Sequence, residues 1–187
     1  MKNMEKQKNI RYLTLTGLMA GLITLCTAYF IHIPVGLNGG YVHVGDALIY
    51  IAAAILPTPY AILAGAIGGS LADLLTAPMW TVATVIIKSL IVLPFTSHGK
   101  KILGKRNFVA PIIAFFISAT GYYIADGVLF GEFTAIVSSF SSSLVQSGGS
   151  AIVFYVLGAA LDRAGVKSLI ATAGIGGLAK KEGHAHG

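Results

Sequence analysis

Residues 12–33 read YLTLTGLMAGLITLCTAYFIHI, an apolar run of 22 residues that contains no Asp, Glu, Lys or Arg. A helix of about 20 apolar residues is long enough to cross the hydrocarbon core of a bilayer, which is roughly 30 Å thick. The whole chain has the same character, because its 187 residues are 55% hydrophobic and 11% charged, with a mean hydropathy of +0.79. Soluble domains carry about 25% charged residues. The composition therefore excludes a disordered chain and indicates a polytopic membrane protein.

Twelve of the 13 basic residues lie in three short clusters, one at each end of the chain and one near its middle. The clusters are Lys2, Lys6, Lys8 and Arg11; Lys100, Lys101, Lys105 and Arg106; and Arg163, Lys167, Lys180 and Lys181. Short loops rich in Lys and Arg stay on the cytoplasmic side of a membrane, so we expect all three clusters in the cytoplasm. The net charge of +6 then reflects topology, and we predict no nucleic-acid partner.

Five further apolar runs follow the first one. They span residues 45–56, 60–77, 79–95, 109–130 and 138–161. The run 45–56 is short, but the N-terminal and central basic clusters share one side of the membrane only if an even number of spans separates them. Counting the short run gives four spans before the central cluster and two after it. We therefore predict an all-α fold with six transmembrane helices in one domain, 12–162, between cytoplasmic tails at 1–11 and 163–187.

Ionisable side chains inside apolar runs are candidates for function, because a charge at membrane depth is costly. Four lie in or at the edges of the runs: Asp46, Asp73, Lys88 and Asp126. Trp80, Thr84 and Lys88 are spaced by four residues and share one face of the fourth helix. Tyr122 precedes Asp126 by about one helical turn on the fifth helix. We expect Lys88, Asp126 and these aromatic rings to mark the position of a ligand.

Other polar residues extend this candidate site to the sixth helix and to the first outer loop. Gln146 lies in the outer half of the sixth helix, and Asn38, Tyr41 and His43 lie in the Gly-rich loop 34–44. Aromatic surfaces combined with a few hydrogen-bonding groups are typical of a small-molecule pocket.

Each of these ionisable residues also has a structural interpretation. Lys88 and an Asp can form an ion pair that binds no ligand. Asp46 follows Gly45 and fits the N-cap position of the short second helix. Asp73, near the end of the third helix, fits a capping or pairing role. These alternatives stay open at the level of the sequence.

The first helix carries two parallel rows of small residues, which permit close approach of another helix. The rows contain Gly17 and Gly21 at GxxxG spacing, and Thr16, Ala20 and Thr24 beside them. Packing within the protein and docking of a partner are both consistent with this pattern.

The chain contains no GxxxxGK[ST] phosphate loop, no HExxH and no GxSxG. We therefore predict that it is not an enzyme, that it uses no cofactor or metal, and that any ATP hydrolysis takes place in partner subunits.

Three stretches carry a resemblance to a known family. They are GGYVHVGDALIY at 39–50, GAIGGSLADLL at 65–75 and WTVATVIIKSL at 80–90. Together with six short helices and a small-residue first helix, they resemble the substrate-binding S components of energy-coupling factor (ECF) vitamin transporters, over about residues 10–165. The resemblance is to the riboflavin-type superfamily, near carriers of hydroxymethylpyrimidine and pyridoxine.

The resemblance implies a multi-pass protein of a bacterial plasma membrane that binds a vitamin-type molecule and docks on a transmembrane coupling protein bound to two ATPases. By position, the pocket residues would be Asn38, Tyr41, His43, Trp80, Thr84, Lys88, Tyr122, Asp126 and Gln146. The coupling protein would contact Thr16, Gly17, Ala20, Gly21 and Thr24. Trp and Tyr suit stacking on a flat ring, which favours a pyrimidine, pyridine or flavin-like ligand.

Two other hypotheses compete with this one. A stand-alone carrier would use Asp126 or Lys88 in proton coupling, and an S component for a non-aromatic vitamin such as pantothenate would use Lys88 to bind an acid. A third possibility is a structural or regulatory membrane protein without a ligand.

Overall fold

The computed structural model describes residues 2–30, 33–35, 40–131 and 136–172. The described helices are α1 (Lys2–Ala28), α2 (Gly45–Ile55), α3 (Thr58–Thr76), α4 (Thr81–Leu90), α5 (Lys105–Phe130), α6 (Ile136–Arg163) and α7 (Val166–Thr172). A single 3-10 turn, Pro78–Trp80, leads into α4. The predicted all-α class is confirmed for this helical architecture.

One short hairpin adds to the helices. Strands β1 (Ile33–Val35) and β2 (Gly40–Val42) pair antiparallel, with Ile33 opposite Val42 and Val35 opposite Gly40. β-branched residues favour extended backbone, so part of the Gly-rich loop 34–44 forms a ladder with the residue before it.

Four helical segments are long and apolar enough to cross a membrane: Glu5–Ala28, Thr58–Thr76, Lys105–Phe130 and Phe140–Arg163. The apolar helices Gly45–Ile55 and Pro78–Leu90 are shorter. At 11 residues, α2 rises only about 16 Å. The count of six spans and the side of the termini therefore stay predictions. The predicted domain boundaries are likewise untested. Helix α1 begins at Lys2, within the predicted tail 1–11.

Helix α2 lies at the centre of the molecule. Tyr50 is fully buried, stacks on Phe95 with ring centroids 4.8 Å apart, and meets Phe154 edge-on at 5.8 Å. A helix that is apolar on all sides needs protein around it. Central burial therefore accounts for the unbroken hydrophobicity of this short run after Asp46.

Helices α1 and α3 approach closely at Gly68. A Cβ at this position would lie 2.7 Å from Ile23 Cβ and 2.8 Å from the Ala20 carbonyl oxygen. The Thr24 hydroxyl donates to the Gly68 carbonyl across the same contact, at 3.0 Å. Small residues of α1 are therefore used in packing inside the protein.

The long helices present large apolar side chains outward. Exposed examples from four helices are Leu18, Ile67, Ile112, Val128, Val145 and Ile152. Such a surface suits lipid, since an exposed apolar area of this extent is not found on soluble monomers.

The segment that joins α4 to α5 is held by side chains from later helices. The apolar run expected to continue to residue 95 leaves helical geometry after Leu90. Arg106 donates to the carbonyls of Leu93 and Pro94, at 3.0 and 2.7 Å. Asn107 accepts from the Thr96 N–H and donates to its carbonyl, both at 2.8 Å.

Side chains of α6 and α7 also form hydrogen bonds with the backbone of this segment. Both carboxylate oxygens of Asp162 accept backbone N–H groups, from Ile102 at 2.6 Å and Leu103 at 3.0 Å. The Lys167 ammonium donates to the carbonyls of Ser97 and Gly99, at 2.9 and 2.8 Å. Burial lowers the pKa of Lys167 below its usual value, against the opposing effect of Asp162.

Candidate functional site

A buried ion pair joins α2 to α4. Lys88 Nζ lies 2.7 Å from Asp46 Oδ1, and the two side chains are 1% and 0% exposed. Asp46 lies in the first turn of α2 and Lys88 in the last turn of α4. Each charge is therefore near the helix end whose dipole favours it.

Gln146 brings α6 into the same cluster. Its Nε2 donates to Asp46 Oδ2 at 3.0 Å, so both oxygens of the carboxylate are bonded. A buried charge needs a counter-charge and hydrogen bonds, and Asp46 has both.

An aromatic wall lies beside the ion pair. The Lys88 ammonium is 5.4 Å from the Tyr122 ring centroid, which is within cation–π range. Trp80 meets Tyr122 edge-on at 5.8 Å and lies 5.7 Å from the Phe130 ring. The hydroxyls of Thr84 and Tyr122 share a hydrogen bond of 3.1 Å.

Trp80 in the wall and Lys88 beside it both have hydrogen-bond donors without an acceptor among the described residues. Trp80 is 7% exposed, and its Nε1–H finds no acceptor among the residues that the structure describes. Within that part of the chain, the only hydrogen-bond acceptor of the Lys88 ammonium is Asp46, so one of its three N–H groups is used. Buried donors in proteins are normally paired, and a bound ligand is one way to pair these.

Gly69 allows α3 to pack directly against the site. A Cβ at this position would lie 3.0 Å from Lys88 Cγ and 3.1 Å from Thr84 Cγ2. Gly121 on α5 has a similar role, since its Cβ would lie 2.7 Å from Ile87 Cγ1. Sequence reasoning did not single out these two glycines as supports of the site.

His43 lies just before α2 and near enough to Asp46 to act on its carboxylate electrostatically. It is 4% exposed, and its Nδ1 accepts the Gly45 N–H at 3.0 Å. Its carbonyl accepts from the Ser150 hydroxyl at 3.5 Å. Of its predicted loop neighbours, Asn38 lies outside the described residues, and Tyr41 is described by its backbone in β2 alone.

The structure brings together five of the predicted pocket residues: Trp80, Thr84, Lys88, Tyr122 and Gln146. The sequence left open which Asp could pair with Lys88, and in the structure this carboxylate belongs to Asp46. Asp126 is half-buried, one turn beyond Tyr122 on α5.

The N-cap interpretation of Asp46 is wrong. The N-cap of α2 is Val44, which makes no side-chain capping bond, and the Asp46 carboxylate is bonded to Lys88 and Gln146. The sequence held one signal for this pairing, because Lys88 is the one basic residue outside the three clusters and needs a carboxylate within an apolar run.

Asp73 is buried at the end of α3, where its backbone carbonyl accepts the Ala77 N–H at 2.7 Å. Its carboxylate acts electrostatically on the Tyr122 hydroxyl, so it belongs to the surroundings of the site.

The small-residue rows of α1 point in two directions. Thr16 and Ala20 are each 5% exposed, and Thr24 is bonded to α3, so this row packs inside the protein. Gly17 and Gly21 are exposed, and a Cβ at either position would have no atom of the described residues within 4 Å. Only the glycine row is an open surface.

No group of three or more His, Cys, Asp or Glu suited to a metal ion occurs in the part of the chain that the structure describes.

Comparison with known proteins places the chain among membrane transport proteins. The model of a family described as ECF-type riboflavin transporter, S component, matches residues 7–163. A curated protein from Pyrococcus woesei, described as an uncharacterized protein in the gap 3' region, is 27% identical over 139 residues. That match covers 73% of this chain and 93% of the Pyrococcus protein.

Proposed function

This chain belongs to the family of S components of ECF-type riboflavin transporters, and from that membership we propose that it binds a small heteroaromatic vitamin or precursor for uptake. S components are the substrate-binding subunits of these transporters and are not themselves enzymes. Riboflavin, hydroxymethylpyrimidine and pyridoxine are the ligands proposed.

The buried aromatic wall beside the ion pair carries the proposal. Trp80 and Tyr122 offer ring surfaces to a flat ligand, and rings of this kind prefer offset or edge-to-face contact. The Trp80 Nε1–H and the two N–H groups of Lys88 that find no acceptor among the described residues would donate to ring nitrogens or carbonyl oxygens. Asn38, Tyr41, His43 and Asp126 are proposed to border the ligand from the outer loop and from α5.

Transport would depend on other subunits. We place the protein in a bacterial plasma membrane with six spans and both termini in the cytoplasm, where it would dock on a transmembrane coupling protein that carries two ATPases. The chain has no phosphate loop of its own. The exposed row of Gly17 and Gly21 is proposed as the docking face. Thr16, Ala20 and Thr24 would hold α1 in position by packing on the inner side of this helix, where Thr24 is bonded to α3.

Titration of the purified protein with riboflavin, hydroxymethylpyrimidine, pyridoxine and pantothenate tests the ligand class. Trp80 is the only tryptophan of the chain, so its fluorescence reports on the site without a label. We expect one of the three ring compounds to quench this fluorescence and to give a saturable heat in calorimetry. Binding of pantothenate alone would contradict the proposal.

Uptake measurements separate an ECF transporter from a stand-alone carrier. In cells that express the coupling protein and ATPases, uptake of the ligand should stop on ATP depletion. Uptake that survives ATP depletion and collapses with the proton gradient would instead favour a proton-coupled carrier.

A further inference from the structure

We infer that Asp46 makes the site prefer an uncharged ligand. By neutralising Lys88, it makes the site select an uncharged ring compound over its anionic counterpart. This inference rests on the proposed function, because it concerns the ligand of the same site. Asp46 does not need to touch the ligand, since it acts through Lys88.

The two charges of the buried pair balance each other. Lys88 and Asp46 are fully buried and 2.7 Å apart, so together they present no net charge to a ligand. An anion that approached Lys88 would also approach a carboxylate, in surroundings where like charges repel more strongly than in water. A neutral ligand meets no such repulsion.

Asp46 is also fixed in place. Its second oxygen accepts from Gln146 at 3.0 Å, and its backbone lies in the first turn of α2 between Val44 and the buried Ala47. The carboxylate is therefore held by α4 and α6 together and is not free to swing away from an incoming anion. Asp73 adds a further buried carboxylate on the Tyr122 side.

On Trp80 and Lys88, the groups that stay unpaired among the residues that the structure describes are donors, namely the Trp80 Nε1–H and two N–H groups of Lys88. The buried hydroxyls of Tyr50 and Ser147 also lack a partner there and can donate or accept. Ring nitrogens and carbonyl oxygens are neutral acceptors that match the donors of Trp80 and Lys88. The site therefore offers donors without offering an uncompensated positive charge.

Three charge variants test the inference. Asp46→Asn keeps the shape of the side chain and leaves Lys88 as an unbalanced cation. Lys88→Gln leaves Asp46 as an unbalanced anion, and the double variant removes both charges. Glu5→Gln is the control, because it removes a carboxylate from an exposed position on α1.

The ligands are matched pairs that differ in charge: riboflavin with flavin mononucleotide, pyridoxine with 4-pyridoxate, and hydroxymethylpyrimidine with its 5-carboxylate analogue. The measured quantity is the affinity for the anion divided by the affinity for its neutral partner. We expect wild type to favour the neutral member by about tenfold or more, because a site without net charge does not offset the cost of burying an anion.

Asp46→Asn should raise this affinity ratio by about tenfold, while the double variant and Glu5→Gln keep the wild-type ratio and Lys88→Gln lowers it. Removing one member of a buried pair destabilises a protein more than removing both. If one single variant does not fold, the other single variant and the double variant still give the order of the ratios. Equal ratios in all folded variants would overturn the inference.

A measurement without a vitamin separates this inference from the proposed function. Iodide and acrylamide both quench Trp80 fluorescence, and only iodide is charged. Asp46→Asn should increase quenching by iodide relative to acrylamide, because an unbalanced Lys88 attracts anions. Failure of all six ligands to bind would contradict the proposed function, whereas an unchanged iodide-to-acrylamide ratio would contradict the role of Asp46.

Discussion

At the scale of single residues, Gly69 sets the position of the Lys88 side chain. The hydrogen of this glycine faces Lys88 Cγ and Thr84 Cγ2, at distances where a methyl group fits only if both side chains move. Lys88 is not free to move, because its ammonium is tied to Asp46. The glycine is thus part of the site although it carries no functional group.

We predict that Gly69→Ala weakens ligand binding by about tenfold and lowers the melting temperature, since overpacking costs roughly 1–3 kcal/mol. Calorimetry and thermal unfolding in the same detergent measure the two effects. Gly21→Ala is the matched control, because a Cβ there meets no atom within 4 Å. Wild-type affinity in a folded Gly69→Ala protein would show that the close approach of α3 is irrelevant to the site.

The indole N–H of Trp80 is a second residue-scale feature, because it is buried and unpaired among the described residues. Trp80→Phe keeps an aromatic ring and removes this donor. If the ligand accepts from Nε1, its affinity should fall about fivefold to tenfold, since a typical hydrogen bond contributes roughly 1 kcal/mol.

Calorimetry measures the effect of Trp80→Phe, because the variant loses the fluorescence signal. Trp80→Ala serves as the comparison, since it also removes the ring surface and should weaken binding further. Equal affinities for wild type and Trp80→Phe would mean that the N–H does not contact the ligand.

At the scale of elements, the contact between α1 and α3 decides which small residues of α1 face the protein interior and which are exposed. Gly68 faces Ile23 and the Ala20 carbonyl, while Gly17 faces no atom of the described protein within 4 Å. We predict that Gly68→Ala lowers the free energy of unfolding by about 1–3 kcal/mol.

Gly17→Ala provides the control for Gly68→Ala, because both replace a helical glycine and only one of them is packed. Its stability should equal or slightly exceed that of wild type, since Ala favours a helix over Gly by about 1 kcal/mol. Equal destabilisation by the two changes would contradict the observed orientation of α1.

Helix α7 is tied to the segment between α4 and α5 by Lys167, whose ammonium donates to the carbonyls of Ser97 and Gly99. Burial lowers the pKa of Lys167 below its value in the unfolded chain. Between the lowered pKa of the folded state and the ordinary lysine pKa, the unfolded state binds more protons than the folded state. The contribution of Lys167 to the free energy of unfolding therefore increases as pH rises through this interval.

We predict that wild type becomes more stable relative to Lys167→Met as pH rises through this interval. Thermal unfolding of both proteins between neutral pH and the ordinary lysine pKa measures the difference. Lys105→Met is the control for the loss of a lysine charge, because Lys105 is exposed. A wild-type advantage that shrinks over the same range would reverse the assigned direction.

At the scale of the whole molecule, local periodicity accounts for one part of the predicted site, whereas Tyr122 and Gln146 on other helices were assigned to it from the resemblance and their polar character. Trp80, Thr84 and Lys88 follow each other at one-turn spacing, so their common face could be read from the helix geometry alone. The partner of Lys88 could not, because Asp46 is 42 residues away and meets it only through the burial of α2 among other helices.

The same reason explains the second helix. The positions of the charge clusters predicted that residues 45–56 form a helix. They contain no information on how α2, with its 11 residues, is buried among the other helices. The orientation of the α1 rows also needed the structure, since Thr16 and Gly17 are neighbours in sequence and face opposite environments.

Docking on a partner is a property of the whole assembly, and the open glycine row of α1 is where we expect it. We predict that Gly17→Leu leaves ligand affinity and melting temperature unchanged, because no atom lies within 4 Å of a Cβ there. The same change should abolish co-purification with the coupling protein and reduce ATP-dependent uptake to background, since a bulky side chain prevents close helix approach. Gly148→Leu is the matched control: Gly148 is also exposed and open, but it lies on α6. Transport at the wild-type rate by Gly17→Leu, or an equal loss in Gly148→Leu, would place the docking face elsewhere.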